Sequence, residues 1–186
     1  MNLYISDLHF GHRNSLLFDN RPFRDTDSMD YALIQFWNSR VQPDDDVYIL
    51  GDFCYRSGRE PQWYLQRLKG HKHLIIGNHD GKLLENEAAL RYFVDEPKDI
   101  VMIQDTLDGE SRRVVLCHYP MAEWNGMYYG VLHVYGHIHA RDNEAQRFMA
   151  AKENAFNAGA PIIGYTPASL SELRRHNEDF RKKLGI

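Results

Sequence analysis

Residues 3–9, which read LYISDLH, begin as a short apolar run and end in two polar side chains, Asp7 and His9. The same order recurs four times further along the chain, at residues 47–52 (VYILGD), 74–80 (LIIGNHD), 114–118 (VVLCH) and 134–139 (VYGHIH). In open α/β sheets, ligands bind beyond the carboxyl ends of the strands. The sequence therefore predicts that these segments bring their polar ends to one crevice.

The spacing within these segments favours metal ligands. Asp7 with His9, and His137 with His139, are i,i+2 pairs, so both members of each pair leave a strand end on the same side. Glycine directly before a polar residue lets the backbone approach an ion closely. Each polar residue taken alone is more often a helix cap, a turn residue or a hydrogen-bonded group. Together they would place several charges in one cleft, which is costly unless a cation offsets them.

Short apolar runs alternate with helical patterns, which predicts an α/β protein. We expect a β-hairpin around Leu107-Asp108-Gly109, a helix N-cap at Asp27, and a capping box from Ser169 to Glu172. Residues 140–158 are polar and give no clear assignment.

We expect one domain over residues 1–186, since neither side of a boundary near residue 97 forms a core of its own. The predicted strands are 3–5, 47–50, 73–76, 100–105, 112–117 and 131–135, and the predicted helices are 28–40, 61–69, 82–93 and about 170–183.

Composition excludes several classes of protein. The 22 Lys and Arg against 26 Asp and Glu give a formal charge of −4, which disfavours nucleic acid as the main partner without eliminating it. Cys54 and Cys117 cannot form a disulfide framework, and we expect both to be small buried residues. The N-terminus has no signal-peptide pattern and no apolar run approaches about 20 residues, so we expect a cytoplasmic protein without a membrane span.

The motifs Asp-x-His (7–9), Gly-Asp (51–52), Gly-Asn-His-Asp (77–80), His118 and Gly-His-x-His (136–139), in this order, resemble the signature of the calcineurin-like metallophosphoesterases. The resemblance runs from Asp7 to His139, and the short chain is similar to the small bacterial, archaeal or phage-type members. It implies an α/β fold in which a two-sheet β-sandwich is flanked by α-helices in four layers.

The resemblance also implies a set of metal ligands. Asp7, His9 and His139 would bind a first divalent cation, Asn78, His118 and His137 a second, and Asp52 would bridge the two. Two cations about 3.5–4 Å apart can clamp the attacking and leaving oxygens of a phosphate. Mixed imidazole, carboxylate and amide ligands favour Mn, Fe or Zn. The positive charge of two divalent cations would exceed the negative charge of the Asp7 and Asp52 carboxylates. The remaining local positive charge would attract an anion.

In the family, the histidine at the position of His79 acts as general acid on the leaving oxygen, and we expect Asp80 to orient it. One branch has an aspartate that pairs with this histidine, but the corresponding position here is Tyr55, so the orienting partner is open. Arg56 stands where that branch has a phosphate-binding arginine and is equally well explained as a solvated loop residue. His12 and Arg13 are close enough in sequence to reach the crevice.

The leading hypothesis is hydrolysis of a phosphodiester or phosphomonoester by a metal-bridging hydroxide, with a small phosphate ester such as a nucleotide as substrate. The alternatives are a catalytically inactive metal-binding scaffold and a nuclease. An inactive relative usually loses ligands or the general acid, whereas all are present here. A nuclease would be expected to have a larger chain or a basic groove. Residues 119–129 favour core packing or a lid over stacking on an aryl group. The sequence leaves the oligomeric state open.

Overall fold

The computed structural model describes residues 1–185 and has two β-sheets flanked by helices. The predicted two-sheet α/β architecture is confirmed. The strands are β1 (Asn2–Ile5), β2 (Asp46–Leu50), β3 (His71–Ile75), β4 (Ile100–Leu107), β5 (Glu110–Cys117), β6 (Leu132–Tyr135) and β7 (Ala155–Asn157). The helices are α1 (Arg13–Phe18), α2 (Thr26–Arg40), α3 (Pro61–Leu65), α4 (Gly81–Leu84), α5 (Glu87–Leu90), α6 (Glu144–Ala150) and α7 (Leu170–Leu184).

The first sheet has the order β1-β2-β3 and is parallel throughout, with Leu3 opposite Val47. The second sheet has the order β4-β5-β6-β7, in which only the β4–β5 pair is antiparallel. Parallel strands all end at the same edge of their sheet. In the first sheet, the loops after β1, β2 and β3 therefore leave at one common edge. In the second sheet, the loops after β5 and β6 do the same.

The two sheets meet along β1. The backbone N–H of Ser6 donates to the carbonyl of Ala158 (2.8 Å), and the N–H of Tyr4 donates to the carbonyl of Ala168 (2.8 Å). The hydroxyl of Tyr4 reaches the carboxylate of Asp105 on β4 at 2.6 Å. A single cluster of buried apolar residues contains side chains from both sheets. The prediction of one domain is compatible with this packing and stays a prediction.

Several local predictions are confirmed. β4 and β5 form the expected hairpin, and both turn residues, Asp108 (φ 55°) and Gly109 (φ 80°), have the left-handed backbone of a type I′ turn. Ser169 and Glu172 form the expected capping box at the start of α7. Cys54 and Cys117 are both buried. Within residues 119–129, core packing is confirmed for Trp124, which lies in a small buried cluster, but not for Tyr128 and Tyr129, which are exposed.

The helix boundaries differ from those expected. Asp27 does not cap α2, because Asp25 precedes the helix in an extended conformation and forms a reciprocal capping box with Ser28. The helix expected over 61–69 ends at Leu65. The helix expected over 82–93 is two helices, because the side chain of Asn86 caps the second one at the N–H of Ala89 (3.0 Å).

The unassigned stretch 140–158 contains α6 and β7. The side chain of Asn143 accepts a hydrogen bond from the N–H of Gln146 (2.8 Å), which starts α6. β7 adds to β6 by parallel pairing of Val134 with Phe156. Its three residues are too few for a periodic pattern, so only tertiary pairing identifies this strand. Within residues 1–185, no helix is both long and apolar enough to cross a membrane.

Candidate metal centre

The loops at the carboxyl ends of the strands bring the predicted ligands together. Two groups of side chains each have their ligand atoms within 4.8 Å of one another: Asp7, His9 and His139, and Asp7, Asp52 and His118. All five residues are buried. Asn78 and His137 line the same crevice. The crevice predicted from five separate segments therefore exists.

In the first group, a buried nitrogen has no hydrogen-bond partner. Nε2 of His9 is enclosed by the protein and makes no hydrogen bond within the described residues, although it lies 3.5 Å from Oδ2 of Asp52. Nε2 of His139 lies 3.8 Å from Oδ1 of Asp7. Leaving a buried polar atom unsatisfied is costly. A cation between these two imidazoles and the two carboxylates would satisfy all of them.

In the second group, several lone pairs converge. Nδ1 of His118 donates to the carbonyl of Leu50 (2.7 Å), so in the neutral ring Nε2 carries a lone pair. That nitrogen faces Oδ1 of Asn78 at 3.1 Å and Oδ2 of Asp52 at 3.6 Å. Three acceptor atoms facing one another repel unless a cation lies between them. The donors present therefore fit a second divalent cation. Asp7 belongs to both groups, and Oδ2 of Asp52 lies near a histidine of each group, 3.5 Å from His9 and 3.6 Å from His118.

His137 contacts this second group through its ring. Its imidazole packs edge-on against His118, with ring centroids 5.1 Å apart, and against Tyr119 at 4.7 Å. Its backbone N–H donates to both carboxylate oxygens of Asp7, at 3.2 and 3.0 Å. The loop after β6 is thereby fixed to the loop after β1, which explains how two distant motifs share one centre.

The ligand residues have a strained backbone. Of the nine non-glycine residues with positive φ in the described chain, five are predicted ligands: Asp7, His9, Asp52, His137 and His139. Such conformations are uncommon for residues with a side chain and cluster at functional sites. The surrounding fold maintains them here and so turns the side chains sharply into the crevice.

Two glycines permit this close packing. A side chain at Gly136 would overlap Ser6 and would come within 2.7 Å of the carboxylate of Asp7. A Cβ atom at Gly77 would lie 2.5 Å from both the backbone nitrogen and Oδ1 of Asp52. Neither position can accept a larger residue without moving a predicted ligand, in agreement with the role inferred for glycine from the sequence.

Asp19 is a residue that the sequence did not reveal. Nδ1 of His139 donates to Oδ2 of Asp19 (3.0 Å), which leaves Nε2 of His139 free to bind a cation. A carboxylate behind a metal-binding histidine fixes its tautomer and orientation. Arg21 donates to the same carboxylate and to the backbone carbonyls of Asp7 and Leu8, both at 2.7 Å. Asp19 follows α1 and no strand, so the strand-end pattern could not identify it.

The carboxylate of Asp80 binds backbone groups of the loops around the centre. Its carboxylate is fully buried and accepts hydrogen bonds from the backbone N–H groups of Gly77 (2.8 Å), Asp52 (2.9 Å) and Phe53 (2.9 Å). Burial raises its pKa to about 6 despite these bonds. Both oxygens bind the backbone of two ligand-bearing loops, and the expected orientation of His79 by Asp80 stays a prediction. Asp80 connects the loop after β2 to the loop after β3.

His79 is placed at the edge of the centre and is half-buried. Its backbone N–H donates to Oδ1 of Asp52 (2.9 Å), and its ring packs on Tyr55 with centroids 4.1 Å apart. Tyr55, at the position where one branch of the family has an aspartate, therefore contacts His79 through its aromatic face. The ring of His79 lies 5.5 Å from that of His9, close to both groups of ligands.

The remaining predicted residues differ in position. His12 is buried and its Nδ1 lies 3.3 Å from Nδ1 of His9, so it lies behind a ligand rather than in the open crevice. Arg13 is exposed at the start of α1. Arg56 is exposed and its guanidinium lies over the ring of Tyr55 at 5.2 Å. Phe18, Ile138, Arg141 and Asn143 also line the crevice, and the sequence motifs did not indicate them.

Burial and neighbouring charges shift the pKa values of side chains in and next to the centre, some upward and some downward. It raises the pKa of Asp7 and, together with the charges of Arg21 and His139, lowers the pKa of His9. Burial acts to lower the pKa of His139, but the hydrogen bond to Asp19 and the charges of Asp7 and Asp19 outweigh it, so that pKa is raised. Burial and the neighbouring His79 lower the pKa of His12 to about 4. Neutral His9 and His12 are suited to a cationic environment.

The comparisons with known proteins agree with this geometry. A family model described as calcineurin-like phosphoesterase matches residues 3–141. The chain belongs to this family. Family membership and the buried Asp and His clusters together support a metal-dependent phosphoesterase.

Relatives come from an archaeon and from phages. An uncharacterized protein of Methanocaldococcus jannaschii is 30% identical over 168 residues, which cover 89% of this chain and 85% of that protein. The gene 66 protein of Mycobacterium phage L5 is 29% identical over 160 residues, 74% of this chain and 76% of the phage protein. The gene 66 protein of Mycobacterium phage D29 is 29% identical over 159 residues, 74% of this chain and 78% of the phage protein.

A solved structure shares the fold. The crystal structure of a protein of unknown function from Aquifex aeolicus superposes with a TM-score of 0.68 at 24% identity. The match covers 94% of this chain and 98% of the other. At this level of identity the likeness extends to the fold alone.

Proposed function

We propose that the chain hydrolyses phosphate esters at a dinuclear metal centre. Asp7, His9 and His139 would hold one divalent cation, Asn78, His118 and His137 the other, and Asp52 both. The observation that carries this proposal is the buried, unpartnered Nε2 of His9 beside the carboxylate of Asp52, 3.5 Å away. The convergence of Asn78, His118 and Asp52 supports the second position independently.

The two cations would supply Lewis-acid polarisation of the phosphoryl group and activation of the attacking water. The protein's own contribution is to fix the ligands before substrate arrives. Asp52 accepts the N–H of His79, Asp7 accepts the N–H of His137, and Asp80 holds the loops after β2 and β3. Preorganised ligands need no rearrangement during the reaction, which lowers its barrier.

His79 would act as general acid. The bond between phosphorus and the leaving oxygen breaks while water adds to phosphorus, and His79 gives its ring proton to that oxygen. Three observations support this role: the ring lines the crevice, its backbone is anchored to Asp52, and no described side chain hydrogen-bonds its ring nitrogens. Tyr55 limits the ring's motion by packing on it rather than by accepting a proton.

The substrate would be a small phosphate ester, and a nucleotide fits this class. The crevice is open to solvent along Asn78 and His137 and has Arg141 on its rim, so phosphodiesters and phosphomonoesters both fit the proposal. Mn, Fe and Zn are the cations that suit the mixed imidazole, carboxylate and amide donors. A cytoplasmic location belongs to the same proposal.

Metal analysis combined with an ester screen tests the proposal. The purified protein is expected to bind two divalent cations and to hydrolyse aryl esters such as p-nitrophenyl phosphate or bis-p-nitrophenyl phosphate. Chelation should abolish turnover and Mn²⁺ should restore it. The matched control is Lys183→Met on the exposed end of α7, which should change neither metal content nor rate. Full turnover by thoroughly metal-stripped protein would contradict the proposal.

A further inference from the structure

A second cavity adjoins the metal crevice at His79. We call it the side pocket and define it by six of the residues that line it: Tyr55, Arg56, Arg59, Glu60, His79 and Lys82. It has a volume of about 140 Å³. His79 lines both the side pocket and the crevice. The ring of His79 therefore stands at the junction of the two spaces.

The side pocket has an excess of positive charge. Arg59 is neutralised by Asp27 (2.8 Å) and Asp30 (3.3 Å). Within residues 1–185, neither Arg56 nor Lys82 has a carboxylate within 4.0 Å of its charged nitrogens, and both side chains are exposed. Glu60 is the acidic residue of the pocket, and its carboxylate accepts a hydrogen bond from the side-chain amide of Asn86 (3.2 Å). Among the described residues, Arg56 and Lys82 are thus without an ion pair, and together with the carboxylate of Glu60 they leave a net charge of +1 in the pocket.

Buried contacts hold the loop that forms this pocket. The carboxylate of Asp30 is fully buried and accepts hydrogen bonds from the hydroxyl of Tyr64 (2.8 Å) and the N–H of Gly11 (2.8 Å). The hydroxyl of Ser57 hydrogen-bonds that of Tyr64 (2.6 Å), and the guanidinium of Arg59 lies 4.7 Å over the ring of Trp63. A loop fixed in this way presents its cations without a large ordering cost on binding.

We propose that the side pocket binds a second phosphate group, carried by the leaving group of the substrate. This inference rests on the proposed function, because a general acid at His79 places the leaving oxygen next to the same ring. A leaving group that departs past His79 enters the side pocket, which Arg56 and Lys82 flank. The substrate class is therefore a phosphate ester whose leaving group is itself phosphorylated, as in a nucleoside bisphosphate.

The test compares two ligands that differ by one phosphate, phenyl phosphate and 1,3-phenylene bisphosphate. Binding is measured by calorimetry on Mn²⁺-loaded His79→Asn protein, in which turnover of the ligands should be roughly 10²–10⁴-fold slower. The bisphosphate is expected to bind about 10-fold more tightly, because each unscreened charge contact contributes a factor of about 2–5. Lys82→Met and Arg56→Gln should each reduce this preference by about 2–5-fold, whereas Lys183→Met should not.

Ionic strength provides a second readout. The preference for the bisphosphate should shrink at about 1 M salt, where screening acts within about 3 Å, while the binding common to both ligands should change less. Equal affinities for the two ligands, or a preference that Lys82→Met and Arg56→Gln leave intact, would overturn the inference.

Failure of the inference is separable from failure of the proposed function. If the wild-type protein hydrolyses aryl esters but no preference for the bisphosphate is found, the side pocket does not bind a second phosphate. That result would agree with the proposed phosphoesterase activity. A preference that depends on Lys82 and Arg56 in a protein that hydrolyses no ester would support anion binding in the side pocket and reject the role of its occupant as a leaving group.

Discussion

The two proposed ligand sets, Asp7, His9 and His139 for the first cation and Asn78, His118 and His137 for the second, are supported differently. In the first, Asp7, His9 and His139 are 0%, 1% and 7% exposed, and the buried carboxylate of Asp19 lies behind His139. In the second, His118 is fully buried, but Asn78 is exposed and His137 is only half-buried. Support for the second group comes from a backbone carbonyl, that of Leu50.

This difference indicates an order of binding. A site whose ligands are already fixed loses less conformational freedom on binding a cation. The first group is fixed by Asp19 and Arg21, whereas Asn78 and His137 must be ordered from partly exposed positions. We therefore expect the first group to bind its cation more tightly than the second, with Asp52 common to both.

Replacing the shared carboxylate should have the largest effect. Asp52→Asn removes a charge that lies 3.5 Å from His9 and 3.6 Å from His118, so both cations should bind more weakly. We expect the loss of affinity at each position to exceed the roughly 10–100-fold effect of changing an outer-shell partner. Metal content and kcat are the measurements. Near wild-type metal content and kcat in this variant would show that Asp52 is not a ligand shared by the two cations.

The second prediction separates chemistry from metal binding. His79→Asn should lower turnover by roughly 10²–10⁴-fold while both cations remain bound, because His79 belongs to neither group of ligands. The loss should be smaller for p-nitrophenyl esters, whose leaving group needs little protonation. Turnover of good and poor leaving groups, with metal analysis of each preparation, checks this. A uniform loss across leaving groups, or the loss of one cation, would argue against the role of general acid.

The third prediction tests the support behind the first group. Asp19→Ala should weaken one of the two Mn²⁺ sites by roughly 10–100-fold and leave the other unchanged, since Asp19 contacts His139 alone among the ligands. Asp19→Asn, which keeps an acceptor for Nδ1 of His139, should lose less. Calorimetric titration with Mn²⁺ resolves the two sites. A general loss of structure would instead lower both affinities and the apo-protein Tm together.

The smallest effect concerns His133 on β6, the strand that precedes His137 and His139, and is absent at neutral pH. His133 is buried, its Nδ1 donates to the carbonyl of Val115 (3.1 Å), and its Nε2 accepts from the N–H of Met121 (3.2 Å). Burial lowers its pKa to about 4. Below the unfolded pKa of about 6.5 the unfolded chain binds a proton that the folded chain does not. The free energy of unfolding should therefore fall as the pH drops from about 6.5 to 4.

His133→Gln is the matched variant for this effect. Glutamine can donate to Val115 and accept from Met121 without titrating, so the difference in unfolding free energy between wild type and variant should isolate the acid dependence that His133 contributes. At pH 4 the contribution of His133 amounts to roughly 1–3 kcal/mol. Chemical denaturation at several pH values measures it. Parallel pH profiles for the two proteins would show that His133 titrates normally in the fold.

The strand-end motifs by themselves determine where the centre lies. An apolar run followed by Asp, Asn or His is a local pattern, and the parallel strands it predicts end at one edge of a sheet. The i,i+2 pairs and the glycines before the ligands are also local features. For that reason the sequence alone predicts the positions of Asp7, His9, Asp52, His118 and His139 around one crevice.

Only the tertiary structure decided what lies behind and beside the ligands. Asp19 reaches His139 across 120 residues, and Asp80 binds the backbone of a loop 27 and 28 residues away, contacts that no local pattern encodes. The side pocket forms where the loop before α3 meets the start of α4. Strand ends are fixed by short-range hydrophobic patterning, whereas hydrogen-bond partners of buried polar groups depend on which distant loops pack together.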